Sequence, residues 1–384
     1  MKLVGVVAIV VLAHIVFTGA RVTASLYALA NNASTFTVGV LMALFALVPM
    51  LIAVRAGKWL DAVGPTRPLF LGGAMLLVGI ALPAAFPYAV ADIAPLLVGV
   101  ALIGTGSMLI QITVQDMVGR AAPAHERTAA FSWLALGASI SGFIGPVSVG
   151  LIIDYYGHRP AFALLGLVTA AMIALLAFQR RGFPGGHGAH AEISERPFFD
   201  LLRNRDVREI LIATSLISMS WDLQTFMVPV HGTRAGLSAS EIGVVLGSFA
   251  VATFAIRLAM PWLSRTWREW QVLTFTLFTG ATAFILMPLF DTLAPLMACA
   301  ALLGLGLGAA QPNVMSLLHG RSPQGRVGEA LGLRTTIMNS SHVVLPLVFG
   351  AAGSVVGATA VFWLMATMLG GGGLFAKRRD RRAT

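Results

Sequence analysis

The sequence predicts an all-α polytopic membrane protein whose twelve transmembrane helices fall into two six-helix halves. Composition, the spacing of long apolar runs and an internal repeat each point there. Of 384 residues, 57% are hydrophobic and 11% charged, whereas ordinary globular domains carry about a quarter charged residues. A formal charge of +10 raises the question of nucleic acid, which the placement of the arginines answers below. Cys299 is the single cysteine and lies in an apolar run, so no disulfide framework is available.

Each crossing takes roughly 20 apolar residues to clear a hydrocarbon core of about 30 Å. Twelve runs between charged or turn-rich breaks meet that length. They fall at about 4–28, 36–56, 68–90, 93–118, 128–152, 160–179, 209–231, 239–260, 269–290, 293–318, 329–352 and 354–375. Within a bilayer only helices and closed barrels satisfy their backbone polar groups, so runs of this length are read as helices. The first run follows Lys2 and imitates a signal peptide. Its continuation to Ala30 and its place in the repeat mark it instead as an uncleaved span.

The longest polar stretch, "RRGFPGGHGAHAEISERPFFDLLRNRDVRE", splits the chain after the sixth run. It divides the sequence into an N-terminal half (1–179), a linker (180–208), a C-terminal half (209–375) and a basic tail (376–384). The glycine- and histidine-rich start of the linker reads as flexible. His187 and His190 read there as solvated side chains, and no metal site or cofactor is predicted. Phe198, Phe199, Leu201 and Leu202 among arginines suggest a short interfacial helix.

The two halves repeat. A shift of 204 lays "TVGVLMALFAL" on "EIGVVLGSFAV", with Gly39 on Gly243. Further along the shift is 200: Gly104, Gly106, Gln111, Pro123, Ala130, Pro146 and Gly150 fall on Gly304, Gly306, Gln311, Pro323, Ala330, Pro346 and Gly350. Duplicated halves of this kind imply a central cavity with a ligand site near the membrane midplane.

An even number of spans puts both termini on one side. If that side is the cytoplasm, its segments hold 22 of the 26 lysines and arginines. Arg159 and Arg234 fall in outer loops, and Arg21 and Arg334 within spans. This is the positive-inside asymmetry of a bacterial inner-membrane protein with both termini cytoplasmic. It accounts for the net charge without nucleic acid and makes anionic lipid of the cytoplasmic leaflet the expected partner of the basic segments.

Polar residues inside spans are the strongest pointers to function. In the seventh span Ser215, Ser218, Asp222 and Thr225 recur at spacings of 3, 4 and 3, on one helical face. In the first span His14, Thr18, Arg21 and Ser25 do the same. Trp221 and Gln224 flank Asp222; Gln111 lies in the fourth span, and Gln311 and Asn313 in the tenth. Asp222 lies about 21 Å along the helix from Arg208 and is the only acid placed well inside a span. Three roles stay open for it: a carboxyl that carries a proton, an anchor for a cationic substrate, or a static ion pair with Arg21. Arg334 lies nearer the cytoplasmic end of its span, and His14 adds a second titrating group.

The loop after the second span reads "AGKWLDAVGPTRP", with Gly57, Asp61, Gly64 and Arg67 in the pattern G-x-x-x-D-x-x-G. It resembles the loop motif of the major facilitator superfamily. Pro65 and Thr66 stand where that family often has basic residues, and the second-half copy is degenerate, with Pro261 and Arg265 at the glycine and aspartate positions. Span five, "GASISGFIGPVSVG", carries Gly145 and Pro146 and is similar to the superfamily's antiporter motif, although close helix packing also uses such glycines. The resemblance implies that spans one, four, seven and ten line the cavity, that the loop acts as a gate latch, and that the protein works as a monomer. It also implies secondary transport of a small organic solute, with proton-coupled export as the leading expectation. Val100 stands where many proton-driven exporters have a span-four arginine, so uptake of an organic anion by proton symport is the alternative. A non-transporting sensor or scaffold on the same fold is the reading of another class. No nucleotide loop, metal-spaced Cys/His set or Ser-His-Asp arrangement marks an enzyme.

Overall fold

The computed structural model describes residues 3–86, 93–121, 127–180, 183, 202–263, 266–321 and 327–382. They form twelve long helices: α1 (Leu3–Ala30), α2 (Thr35–Val63), α3 (Thr66–Ala85), α4 (Ala94–Ala121), α5 (Arg127–Tyr156), α6 (His158–Gln179), α7 (Arg205–Arg234), α8 (Ala239–Leu263), α9 (Glu269–Leu286), α10 (Leu293–Arg321), α11 (Val327–Val355) and α12 (Ala358–Arg382). All twelve are long and apolar enough to cross a membrane, so this is a multi-pass membrane protein. The helices outrun the apolar runs at several ends: α7 starts at Arg205, and the basic stretch from Lys377 continues α12 to Arg382. Most of the linker, including the segment read as an interfacial helix and both of its histidines, lies outside the described residues.

Local chemistry sets the helix ends. Ser34 caps α2 by accepting the Thr37 amide at 3.1 Å, and Asn204 caps α7 by accepting the amides of Asp206 and Val207. Gly64 closes α2 at φ 77°, its N–H donating to Leu60 O at 2.9 Å. That left-handed conformation gives the last glycine of the loop motif a local reason. At the end of the bundle that holds the termini, Arg379 of α12 pairs with Asp206 and Glu209 of α7, and Arg205 holds Glu209 at 2.9 Å.

The repeat seen in the sequence returns as matched contacts. A side chain at Gly39 of α2 would strike the Pro346 carbonyl of α11, and one at Gly243 of α8 would strike the Pro146 carbonyl of α5. Gly350 backs onto Thr35 O as Gly150 backs onto Ala239 O, and Gly104 onto Phe45 O as Gly304 onto Phe249 O. Helices that touch backbone to backbone in this way require a residue without a side chain at the contact. Two seams, α5/α8 and α2/α11, are therefore each closed at the end of the bundle far from the termini.

Candidate functional site

Under the shift of 204, His14, Phe17, Thr18 and Arg21 of α1 fall on Ser218, Trp221, Asp222 and Thr225 of α7. The two polar faces noted in the sequence are thus one duplicated wall. The packing behind them agrees: Phe17 meets Phe45 edge-on at 5.7 Å, and Trp221 meets Phe249 edge-on at 4.8 Å. The charges differ. The acid stands on α7 and the base on α1.

Each wall is tied to the fifth helix of its own half. On the α1 side, His14 Nδ1 lies 2.6 Å from Ser141 Oγ of α5, and the Thr18 hydroxyl bonds to His14 O, with Ser141 O at 3.3 Å. Gly145 permits this approach, because a side chain there would collide with Thr18. On the α7 side, Asp222 is 2% exposed and its Oδ1 lies 2.6 Å from Nδ1 of His342 on α11. The partner of Asp222 is therefore His342 rather than Arg21, although Arg21 stands within electrostatic reach. A carboxylate and an imidazole at that distance can share or exchange a proton. Asp222 Oδ2 is buried and has no hydrogen-bond partner.

Sequence reasoning did not single out His342, which lies on a span outside the set expected to line the cavity. A signal existed: a shift of 200 sets His342 against Gly142, so a polar residue breaks the repeat where α7 meets α11. Arg257 was also misjudged. Counted with the cytoplasmic segments, it lies within α8, where its guanidinium donates to Ser139 Oγ of α5 at 2.9 Å.

The other expected site residues divide. Arg21 is half-buried, with its guanidinium carbon 5.7 Å from the Phe17 ring centre and its Nε sealed from solvent without a partner. Arg334 is 7% exposed, and its Nε likewise lacks a partner. Gln224 is 1% exposed with both amide ends unpartnered. Asn313 is buried and donates to Ala309 O of its own helix at 2.7 Å, while Gln111 and Gln311 are exposed. Of the loop motif, Gly57 and Asp61 fall in the last turns of α2, with their side chains outside the described residues; Arg67 is exposed. Pro146 lies inside α5 and presents its carbonyl to Gly243. Among the described residues, no group of three histidines, cysteines or acids could hold a metal.

The family model of the Major Facilitator Superfamily matches residues 6–294 and again 210–384. The chain belongs to the major facilitator superfamily. The family is one of transport proteins rather than enzymes. Among curated relatives, the multidrug resistance protein MdtG of Salmonella paratyphi A is 24% identical over 255 residues, 65% of this chain and 63% of that protein. MdtG of Proteus mirabilis is 25% identical over 260 residues, 66% of this chain and 64% of that protein. The match thus spans less than two thirds of these relatives' length. Among solved structures, a POT family transporter in complex with 5-aminolevulinic acid matches with a TM-score of 0.82 at 13% identity, covering 100% of this chain and 96% of that one. A peptide transporter POT in complex with sulfate matches at 0.80 and 15% identity, covering 99% and 94%. At such identities the likeness establishes the fold.

Proposed function

We propose that this protein is a secondary active transporter that exports a small organic solute by proton antiport, its two six-helix halves alternating access to a central site. The observation that carries the reading is the Asp222–His342 pair. A carboxylate only 2% exposed and bonded to an imidazole on another helix is costly to keep in a membrane unless it works. Binding a proton at Asp222 would weaken its hold on His342 and free α7 from α11, which links the proton to helix movement. The names of the MdtG relatives support efflux as the direction. The closed seams at the far end, with Gln111 and Gln311 exposed on α4 and α10, support a state open toward the termini. The distribution of arginines supports a bacterial inner membrane with that side cytoplasmic. Anionic lipid then faces the basic end of α12.

The test is flux in proteoliposomes under an imposed pH gradient, with radiolabelled benzoate and ethidium as probe solutes. In wild type, an inward proton gradient drives uphill efflux. Asp222→Asn reduces efflux to the level of empty liposomes while counterflow without a gradient persists. Full proton coupling in Asp222→Asn would sink the assignment. A second reading, uptake of an organic anion by proton symport, is favoured by the buried, unpartnered Nε of Arg21 and of Arg334. It predicts accumulation under the same gradient instead of efflux.

A further inference from the structure

The transporter reading leaves the chemistry of the solute open, and the distribution of buried charge speaks to it. Among the described residues, the one acid deep in the bundle, Asp222, is engaged with His342. The deep cations are more numerous: Arg21 on α1, Arg257 on α8 and Arg334 on α11. Arg21 and Arg257 both lie within electrostatic reach of His14. Other acids of the helices sit at the ends: Asp206 and Glu209 pair with Arg379, and Asp154 bonds to the start of α8. Among the described residues, the buried Nε of Arg21 and that of Arg334 have no hydrogen-bond partner. Removing a guanidinium from water without an acceptor is unfavourable, and a planar fork of N–H donors suits a carboxylate or a phosphonate.

We infer that the solute is an organic anion whose acidic group is taken by Arg21, in the positive field of Arg257, with Arg334 as an earlier contact. Arg334 precedes His342 by about 12 Å along α11, toward the end that holds the termini. The two arginines thus stand at different depths. An anion entering from the termini end meets Arg334 first. It reaches Arg21 next to Asp222, where its charge acts on the same carboxyl that would carry the proton. The apolar part of the solute finds Phe17 and Trp221, the aromatic pair related by the repeat. The inference rests on the transporter reading and on neither direction of transport.

The experiment measures binding with no gradient, so it is independent of coupling. Purified protein in detergent is unfolded thermally in the presence of benzoate, phenylphosphonate or, as a cationic control, ethidium. The two anions raise the unfolding temperature of wild type and ethidium does not. Arg21→Gln weakens the anions' apparent affinity roughly ten- to a hundred-fold, the scale of a charge-assisted bond. Arg21→Lys keeps the preference for anions over ethidium with lower affinity, which serves if Arg21→Gln does not fold. Arg334→Gln weakens binding by a smaller factor. Stabilisation by ethidium but by neither anion, or equal anion stabilisation of wild type and Arg21→Gln, overturns the inference. Either result would leave the transporter reading standing, and full proton coupling in Asp222→Asn would leave the anion result untouched.

Discussion

The α5/α8 and α2/α11 seams are built alike and held differently. Both lay glycines on backbone carbonyls, Gly243 on Pro146 and Gly39 on Pro346. The α5/α8 seam has an acid at its end: Asp154 accepts the amides of Ala239 and Ser240 at 2.8 and 2.7 Å, at the positive end of α8. The repeat puts Ser354 at that place in α11, and its hydroxyl donates to Ala351 O of its own helix. There α2 depends on its own cap, Ser34, and on Thr35 Oγ1 accepting from Arg234 of α7 at 3.0 Å. The difference teaches that duplication fixed how closely the halves approach, while later substitutions set how firmly each seam is held.

The comparison can be broken most forcibly at the glycines. Gly243→Ala and Gly39→Ala each drive a methyl group into a backbone carbonyl that cannot rotate away. Each is expected to cost about 1–3 kcal/mol, the range for overpacked interiors. Thermal unfolding of the purified variants checks this, and similar losses at the two sites are expected. A large loss at one glycine and none at the other would mean that the seams are not equivalent in packing.

A smaller effect isolates the hold. Asp154→Asn keeps the shape but removes the charge at the start of α8. Because Asp154 is exposed, the expected loss is about 0.3–1 kcal/mol. Double electron–electron resonance between labels on the far ends of α5 and α8 should show a wider distance distribution. The same measurement across α2 and α11 should not change. Ser354→Asp is the converse and smallest change. It is expected to stabilise the α2/α11 seam by a few tenths of a kcal/mol if the acid reaches the start of α2. No narrowing of the α2–α11 distances would show that the second seam lacks room for the clamp.

Much of the fold was legible in the residues, because membrane spans declare themselves by length and the duplication by recurring glycines and prolines. The polar faces of α1 and α7 were legible too, since helical spacing alone groups His14 with Arg21 and Ser218 with Asp222. Partnership was not. Asp222 and His342 are 120 residues apart, and nothing local in either helix points at the other. Arg257 was hidden for another reason: an arginine near the end of an apolar run reads as an interface residue, and only the crossing of α5 turns it inward. The Asp154 clamp was similarly silent, because an acid at a helix end looks solvated until the next half's helix start arrives beside it.

The carbonyl-on-glycine seams carry a kinetic consequence. Where two helices meet glycine on carbonyl, those contacts part without a side chain changing rotamer or sliding out of a groove. Little besides desolvated surface resists the start of separation. If the halves alternate as proposed, the barrier at the far end belongs to a few polar bonds, and the smooth faces of α2, α5, α8 and α11 act as bearings.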